Sequence, residues 1–236
     1  MSATRVAAAA VLALAAAQPA RAEFTSVGDL AQGELRELAR DLGAAFSYKG
    51  VAPATPLGAL GLDLGLEVTE TQLEHSRLFA LAGSRAGSSL LVPKLHVHKG
   101  LPANLDLSAF VGGATEIDAG VFGAALRWTF ADQGLVYPAF SLRGSATRTT
   151  GTGDLKVTTG AIDVLASKTF TAVTPFVGAG RVRTEVSAGG RLGDERVDET
   201  RVFGGVNLNL VALNFAFEAE KMGDNVSLSA KVGWRF

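Results

Sequence analysis

From Leu62 onward, apolar and polar residues alternate with a period of two in one run after another. Successive side chains of a strand point to opposite faces, so this alternation predicts strands. Leu62, Leu64, Leu66 and Val68 share one face of the first run, with Asp63, Gly65, Glu67 and Thr69 opposite. Leu91, Pro93, Leu95 and Val97 then oppose Lys94, His96 and His98, and Leu105, Leu107, Ala109 and Val111 oppose Asp106 and Ser108. Phe122, Ala124, Leu126, Trp128 and Phe130 follow with Arg127 on the other side. Phe140, Leu142 and Ala146 oppose Ser141, Arg143 and Ser145, and Ile162, Val164 and Ala166 oppose Asp163 and Ser167. Phe176 and Val182 oppose Arg181, Arg183 and Glu185; Val202, Val206, Leu208 and Leu210 oppose Arg201, Asn207 and Asn209. Phe215, Phe217 and Ala219 oppose Glu218 and Glu220. The last run sets Val226, Leu228, Ala230, Val232, Trp234 and Phe236 against Ser227, Ser229, Lys231, Gly233 and Arg235. Alternation lapses over 72–89, where a short helical turn is expected around Arg77 to Leu81, and over 187–199. Both read as long loops, and Gly223-Asp-Asn225 reads as a tight turn.

Residues 24–58 carry a different pattern. Leu30, Leu35, Leu38, Ala39 and Leu42 recur at helical spacing between Glu34, Arg36, Glu37, Arg40 and Asp41, which predicts a helix within Ser26–Leu42. Ser26 with Asp29 could cap its start, and Gly33 weakens it. Phe46-Ser-Tyr-Lys and an extended link through Pro53 and Pro56 follow. The segment is a candidate plug or periplasmic prelude. The alternative is an ordinary leading helix with a first strand at 42–49. Ahead of it, Arg5, the apolar run Val6–Ala17 and Ala20-Arg21-Ala22 form the three parts of a cleaved secretory signal over 1–22. Residues 23–58 are then an N-terminal helix and linker, and 59–236 one strand-built domain.

The chain has 22 basic and 23 acidic residues, so no excess charge points to nucleic acid, and with no cysteine it has neither disulfides nor a thiolate metal site. Its 28 glycines and two methionines suit a thin-walled all-β protein. After the signal no apolar run is long enough for a spanning helix, so a membrane location requires a closed barrel. About ten strands follow from Leu62 (ten to twelve, and even, as in single-chain barrels). With Phe236 on the periplasmic side, the long loops fall outside the cell, and 24–58 docks below or within the lumen.

The final strand resembles the C-terminal signature of bacterial outer-membrane barrels, which ends in Phe and is read by the assembly machinery; Trp234 and Phe236 would be that signal here. Pro53-Ala-Thr-Pro-Leu-Gly58 leading into Gly61-Leu-Asp-Leu-Gly65, with the Trp234-Arg-Phe236 end, is similar to a little-characterised group of predicted proteobacterial outer-membrane barrel proteins. The resemblance implies an all-β, closed antiparallel transmembrane barrel in a Gram-negative outer membrane, and brings no activity.

On the expected lumen face stand Asp63, Glu67, Asp106, Asp163, Glu185, Glu218 and Glu220, against Lys94, Arg127, Arg143, Arg181, Arg183, Arg201, Lys231 and Arg235. Such a balance fits a structural, ion-paired interior, since a barrel of this size has little room once long side chains fill it. A narrow pore attracting small anions through Arg143, Arg181 and Arg183 is the sharper alternative. His96 and His98 share that face, but Zn²⁺ takes three or four ligands, the only other histidine is His75, and Lys94 repels a cation. No metal and no cofactor is expected. His75, near Glu70, Glu74 and Ser76, is the one place for a rim enzyme, and no nucleophile motif surrounds it. The expectation is a non-enzymatic outer-membrane barrel, a narrow or plugged channel or a structural wall protein. Its partners would be outer-membrane lipids, the assembly machinery and small solutes. A rim enzyme, or an adhesin acting through its loops, is the alternative.

Overall fold

Each alternating run becomes a strand, and the strands find their partners around a closed ring. The computed structural model describes residues 24–236 apart from 25, 85, 154, 190 and 191; the expected signal over 1–22 lies outside them. In order the strands are β1 (Leu62–Gln72), β2 (Ser89–Leu101), β3 (Leu105–Ala114), β4 (Ala119–Ala131) and β5 (Ala139–Thr150). Then come β6 (Lys156–Ser167), β7 (Val173–Ser187), β8 (Glu195–Leu210), β9 (Leu213–Met222) and β10 (Asn225–Arg235). All ten pair antiparallel with their sequence neighbours, and β1 pairs with β10 from Asp63 opposite Arg235 to Thr71 opposite Ser227. Leu62 and Phe236 exchange both backbone hydrogen bonds, at 3.0 and 2.8 Å, and complete that seam. Closure leaves no unpaired edge, the condition for a sheet to sit in lipid.

The barrel is inside out relative to a water-soluble protein. Leu64, Leu66, Leu95, Leu126, Val164 and Val232 lie on the outer surface, while Asp63, Glu67, Lys94, Asp163, Arg201 and Lys231 are buried within. Trp128, Phe130 and Phe140 follow one another on the outside, the first pair tilted and the second stacked, with ring centroids 5.9 and 6.4 Å apart, toward the end where Trp234 and Phe236 also face outward. Aromatics collect there because their amphipathic rings suit the lipid–water boundary. A transmembrane strand needs only about 9–11 residues. β7 and β8 have 15 and 16, so their hairpin overhangs the apolar belt at the opposite end.

That overhang shortens the second expected loop. β7 runs to Ser187 and β8 starts at Glu195, which leaves 188–194 rather than 187–199. Cross-strand pairs Arg183–Asp198 (2.9 Å) and Glu185–Arg196 (2.6 Å) hold the extended hairpin in water. The first loop, 73–88, is long as expected and carries the short helix α2 (Ser76–Leu81).

The helix expected within Ser26–Leu42 begins as a 3₁₀ turn, Val27–Asp29, then continues as α1 (Gln32–Phe46). The Glu34 carboxylate accepts from the Ala31 N–H at 2.9 Å and starts α1. α1 stands inside the barrel at the end bearing the long loop, packed on β5 to β8, β10 and β1. Leu35, Leu38, Ala39, Leu42 and Phe46 are buried there with Phe79, Leu90, Phe110, Val121, Val157 and Val186. Gly43 lets α1 approach the wall, since a Cβ on it would strike the Thr184 side chain. The chain then descends through the lumen and reaches β1 at the far end. Of the two placements expected for 24–58, below or within the lumen, α1 and the link after it take the second, because α1's apolar stripe finds its apolar lining in the upper lumen.

Candidate functional site

The lumen below α1 is built by the link 47–57 and by the inward side chains of the wall. Lys49 donates to Glu220 of β9, and at 2.7 Å to the Ala44 carbonyl that the helix end leaves unpaired. The Tyr48 hydroxyl meets Ser108 of β3 at 2.7 Å, and its backbone carbonyl accepts from Arg201 at 2.8 Å. Arg127 of β4 donates to the Pro53 carbonyl, and Thr129 to that of Ala54 at 2.7 Å. Ser167 of β6 accepts from the Ala54 N–H at 3.0 Å, and Asp106 from the Leu57 N–H at 3.0 Å. An extended link has no backbone partners of its own, so the wall supplies them.

Around the link the wall charges form three paired groups. In the middle, Arg201 donates to Asp163 through Nε (2.7 Å) and Nη2 (2.6 Å), and to Glu220 at 3.4 Å. Arg143 joins Asp163 from the other side at 2.9 Å, and its guanidinium lies over the rings of Tyr48 (5.4 Å) and Phe203 (5.1 Å). A second group sets Glu67 against Lys94 (2.7 Å) and His96 (2.8 Å). His96 is sandwiched between His98 and Phe110, with centroids 5.4 and 5.1 Å away. At the lower end Asp63 holds Arg235 (2.6 Å) and Lys231 (3.3 Å), and Asp106 holds Arg127 (2.6 Å). Glu218 is buried between these groups. Thr69–Ser229 and Thr71–Ser227 hydroxyl pairs, both 2.9 Å, and the reciprocal Asn207–Asn214 amide pair complete the polar lining. Below the link a cavity of about 320 Å³ opens beside His98, Arg127 and Arg235. Its arginines are already engaged by Asp63, Asp106 and backbone carbonyls.

Of the residues expected to line the lumen, Asp63, Glu67, Lys94, His96, His98, Asp106, Arg127, Arg143, Glu218, Glu220 and Lys231 are buried inside the wall, and Arg235 is half-buried at its lower rim. Arg181, Arg183 and Glu185 are not in the lumen, which corrects the expected face of upper β7. They are exposed on the outside, and Val182, Thr184 and Val186 point inward instead; lower on the same strand Phe176, expected outward, also faces inward, where it packs with Ala54, Leu165 and Phe203. The reason is a reversal of environment along one strand: above the belt the outside is water, while the inside is the apolar packing around α1. Apolar-out therefore fails where the strand leaves the membrane.

Lys49 and Tyr48, absent from the expected set, are among its best-connected members. A lone lysine after Phe46-Ser-Tyr, ahead of a proline link, was the signal available. Among the described residues no group of three or more His, Asp or Glu side chains stands at metal-holding distances. His75 is tied to α1 rather than to Ser76. Its ring nitrogens stand 3.2 Å from Glu37 and from Asp41, and its N–H donates to Asp41 at 2.8 Å.

A closed sheet with a polar, ion-paired interior and an apolar belt defines the chain as a transmembrane β-barrel. No protein family and no curated protein matches the sequence. Among solved structures it is similar to the translocator domain of the autotransporter NalP from Neisseria meningitidis, at 13% identity over 87% of this chain and 95% of that one, TM-score 0.40. It is also similar to the KdgM porin, at 7% identity over 75% and 99%, TM-score 0.38. A third is the N-terminal barrel domain of Pseudomonas aeruginosa OprF, at 10% over 76% and 99%, TM-score 0.33.

Proposed function

We propose that this protein is a non-enzymatic outer-membrane wall protein whose barrel is closed at rest by its own N-terminal segment. One observation carries the reading: the link 48–57 is bonded to β3, β4, β6, β8 and β9 across the lumen, beneath an α1 that fills its upper half. An open diffusion pore needs a continuous water-filled path between charged rings. Here the rings are paired to one another and to the link. On this reading outer-membrane lipids meet the belt, the assembly machinery engages the strand ending at Trp234 and Phe236, and the loop-bearing end faces outward. Short turns normally lie on the periplasmic side. The test is ion conductance of the refolded chain in a planar bilayer, with insertion verified. The full chain should be silent, and a variant lacking residues 24–57 should conduct steadily. Steady conductance from the full chain would overturn the proposal.

A further inference from the structure

Above the apolar belt, the outer surface of β5 to β9 differs from the rest of the ring. Arg148, Lys156, Arg181, Arg183, Arg196 and Lys221 all face outward there. Among the described strand residues only two carboxylates face out there, Glu185 and Asp198, and these are taken by Arg196 and Arg183; Asp194 and Asp224 are exposed in the turns at the same end. Among the described residues Arg148, Lys156 and Lys221 make no ion pair with a carboxylate, and Arg181 adds a further positive charge beside the Asp198 that Arg183 already holds. Around the same end of β1 to β4 and β10 the outward strand residues include Glu70, Gln72, Ser89, Val111, Phe122 and Val226, and no lysine or arginine. The surplus is one-sided.

The register shows what lies between these cations. Three outer rows run across β5 to β8: Arg148, Thr158, Glu185, Arg196; then Ala146, Gly160, Arg183, Asp198; then Gly144, Ile162, Arg181, Thr200. The next row, Leu142, Val164, Ala179 and Val202, is apolar. Gly144, Ala146 and Gly160 therefore make a floor of small residues, two strands wide, with Arg148 above it on β5 and Arg181 and Arg183 beside it on β7. Neither glycine is required by the protein itself. A Cβ added at either meets nothing within 4 Å, and neither has a left-handed backbone. Glycine weakens a strand, and within one it often marks a close approach by something else.

We propose that this shelf binds the phosphorylated headgroup of an outer-leaflet glycolipid. Arginine matches phosphate oxygens with paired N–H donors, and cations beside a membrane surface draw anionic headgroups. The threonine hydroxyls of Thr158 and Thr200 add donors for sugar or phosphate. Exposed Ile162 at the lower edge continues into the belt, where the acyl chains of such a lipid would lie. The flat floor suits a broad disaccharide head laid against the backbone.

The probe is bisphosphorylated lipid A, presented in detergent micelles to the refolded full chain, with bound lipid counted by native mass spectrometry. The same lipid stripped of its phosphates is the comparison. Wild type should hold the phosphorylated form and release the stripped one. Arg148→Ala with Arg181→Ala should weaken retention by roughly thirtyfold, about fivefold for each cation removed from a membrane surface. Gly160→Phe fills the floor without changing charge and should weaken it too. It also keeps the test open if the double variant does not refold. Lys99→Ala, at the opposite end of the barrel, should change nothing. Equal retention of both lipids, or loss equally caused by Lys99→Ala, would overturn the shelf. So would retention unchanged by both shelf variants in folded barrels.

Discussion

Arg201 concentrates the energetics of this lumen. Fully buried, it satisfies Asp163 with two donors, the Tyr48 carbonyl with a third, and reaches Glu220 as well. Removing one member of such a group leaves the others buried and uncompensated, which costs about 3–5 kcal/mol. Arg201→Ala should therefore lower the stability of the refolded barrel by that amount in urea titrations in detergent micelles; a loss below about 1 kcal/mol would show that Asp163 finds other partners. The same residue reaches from the wall to the chain inside it. One substitution should thus loosen the link and the wall together. At this scale the polar side of most strands was legible in the sequence where they lie in the membrane; Phe176 of β7, expected outward, faces inward. Asp163 and Arg201 could be assigned inward, but their mutual contact could not, because β6 and β8 are separated by β7 and the two side chains meet over Gly180, a pairing fixed only by the register.

Elements behave differently inside and outside the belt. β7 carries Val177 and Ala179 outward where lipid is the solvent, and Arg181, Arg183 and Glu185 outward where water is. The strand keeps its period of two throughout; only the meaning of its outer face changes. Charge reversal at Arg183 should accordingly leave ion preference untouched in the barrel lacking residues 24–57, whereas Arg143→Gln should shift it. Both are read from reversal potentials in asymmetric salt. A shift with Arg183→Glu would place that side chain at the conduction path. For α1 the apolar stripe was readable and its partner was not. A stripe of Leu35, Leu38, Leu42 and Phe46 says that something apolar must cover it. That the cover is the inner face of the upper barrel depends on wall residues as far away in sequence as Val186 and Val197.

The whole molecule is a barrel closed through β1 and β10 with its own chain inside. Complete backbone pairing in a closed ring should make it resist SDS without heating and migrate differently after boiling. Identical migration in both samples, together with recovery of the protein in a soluble fraction, would contradict the barrel. What the sequence determined by itself is a closed barrel of about ten antiparallel strands and the polarity of most of their faces within the membrane. These follow from a local rule: two-residue periodicity in a strand bounded by lipid on one side. Only the tertiary structure decided where residues 24–57 go, which cations meet which carboxylates, and that upper β7 turns its charges outward. Those depend on which solvent each height of the wall meets, and on contacts between residues more than a hundred positions apart, such as Lys49 with Glu220. Neither is written in any one stretch of chain.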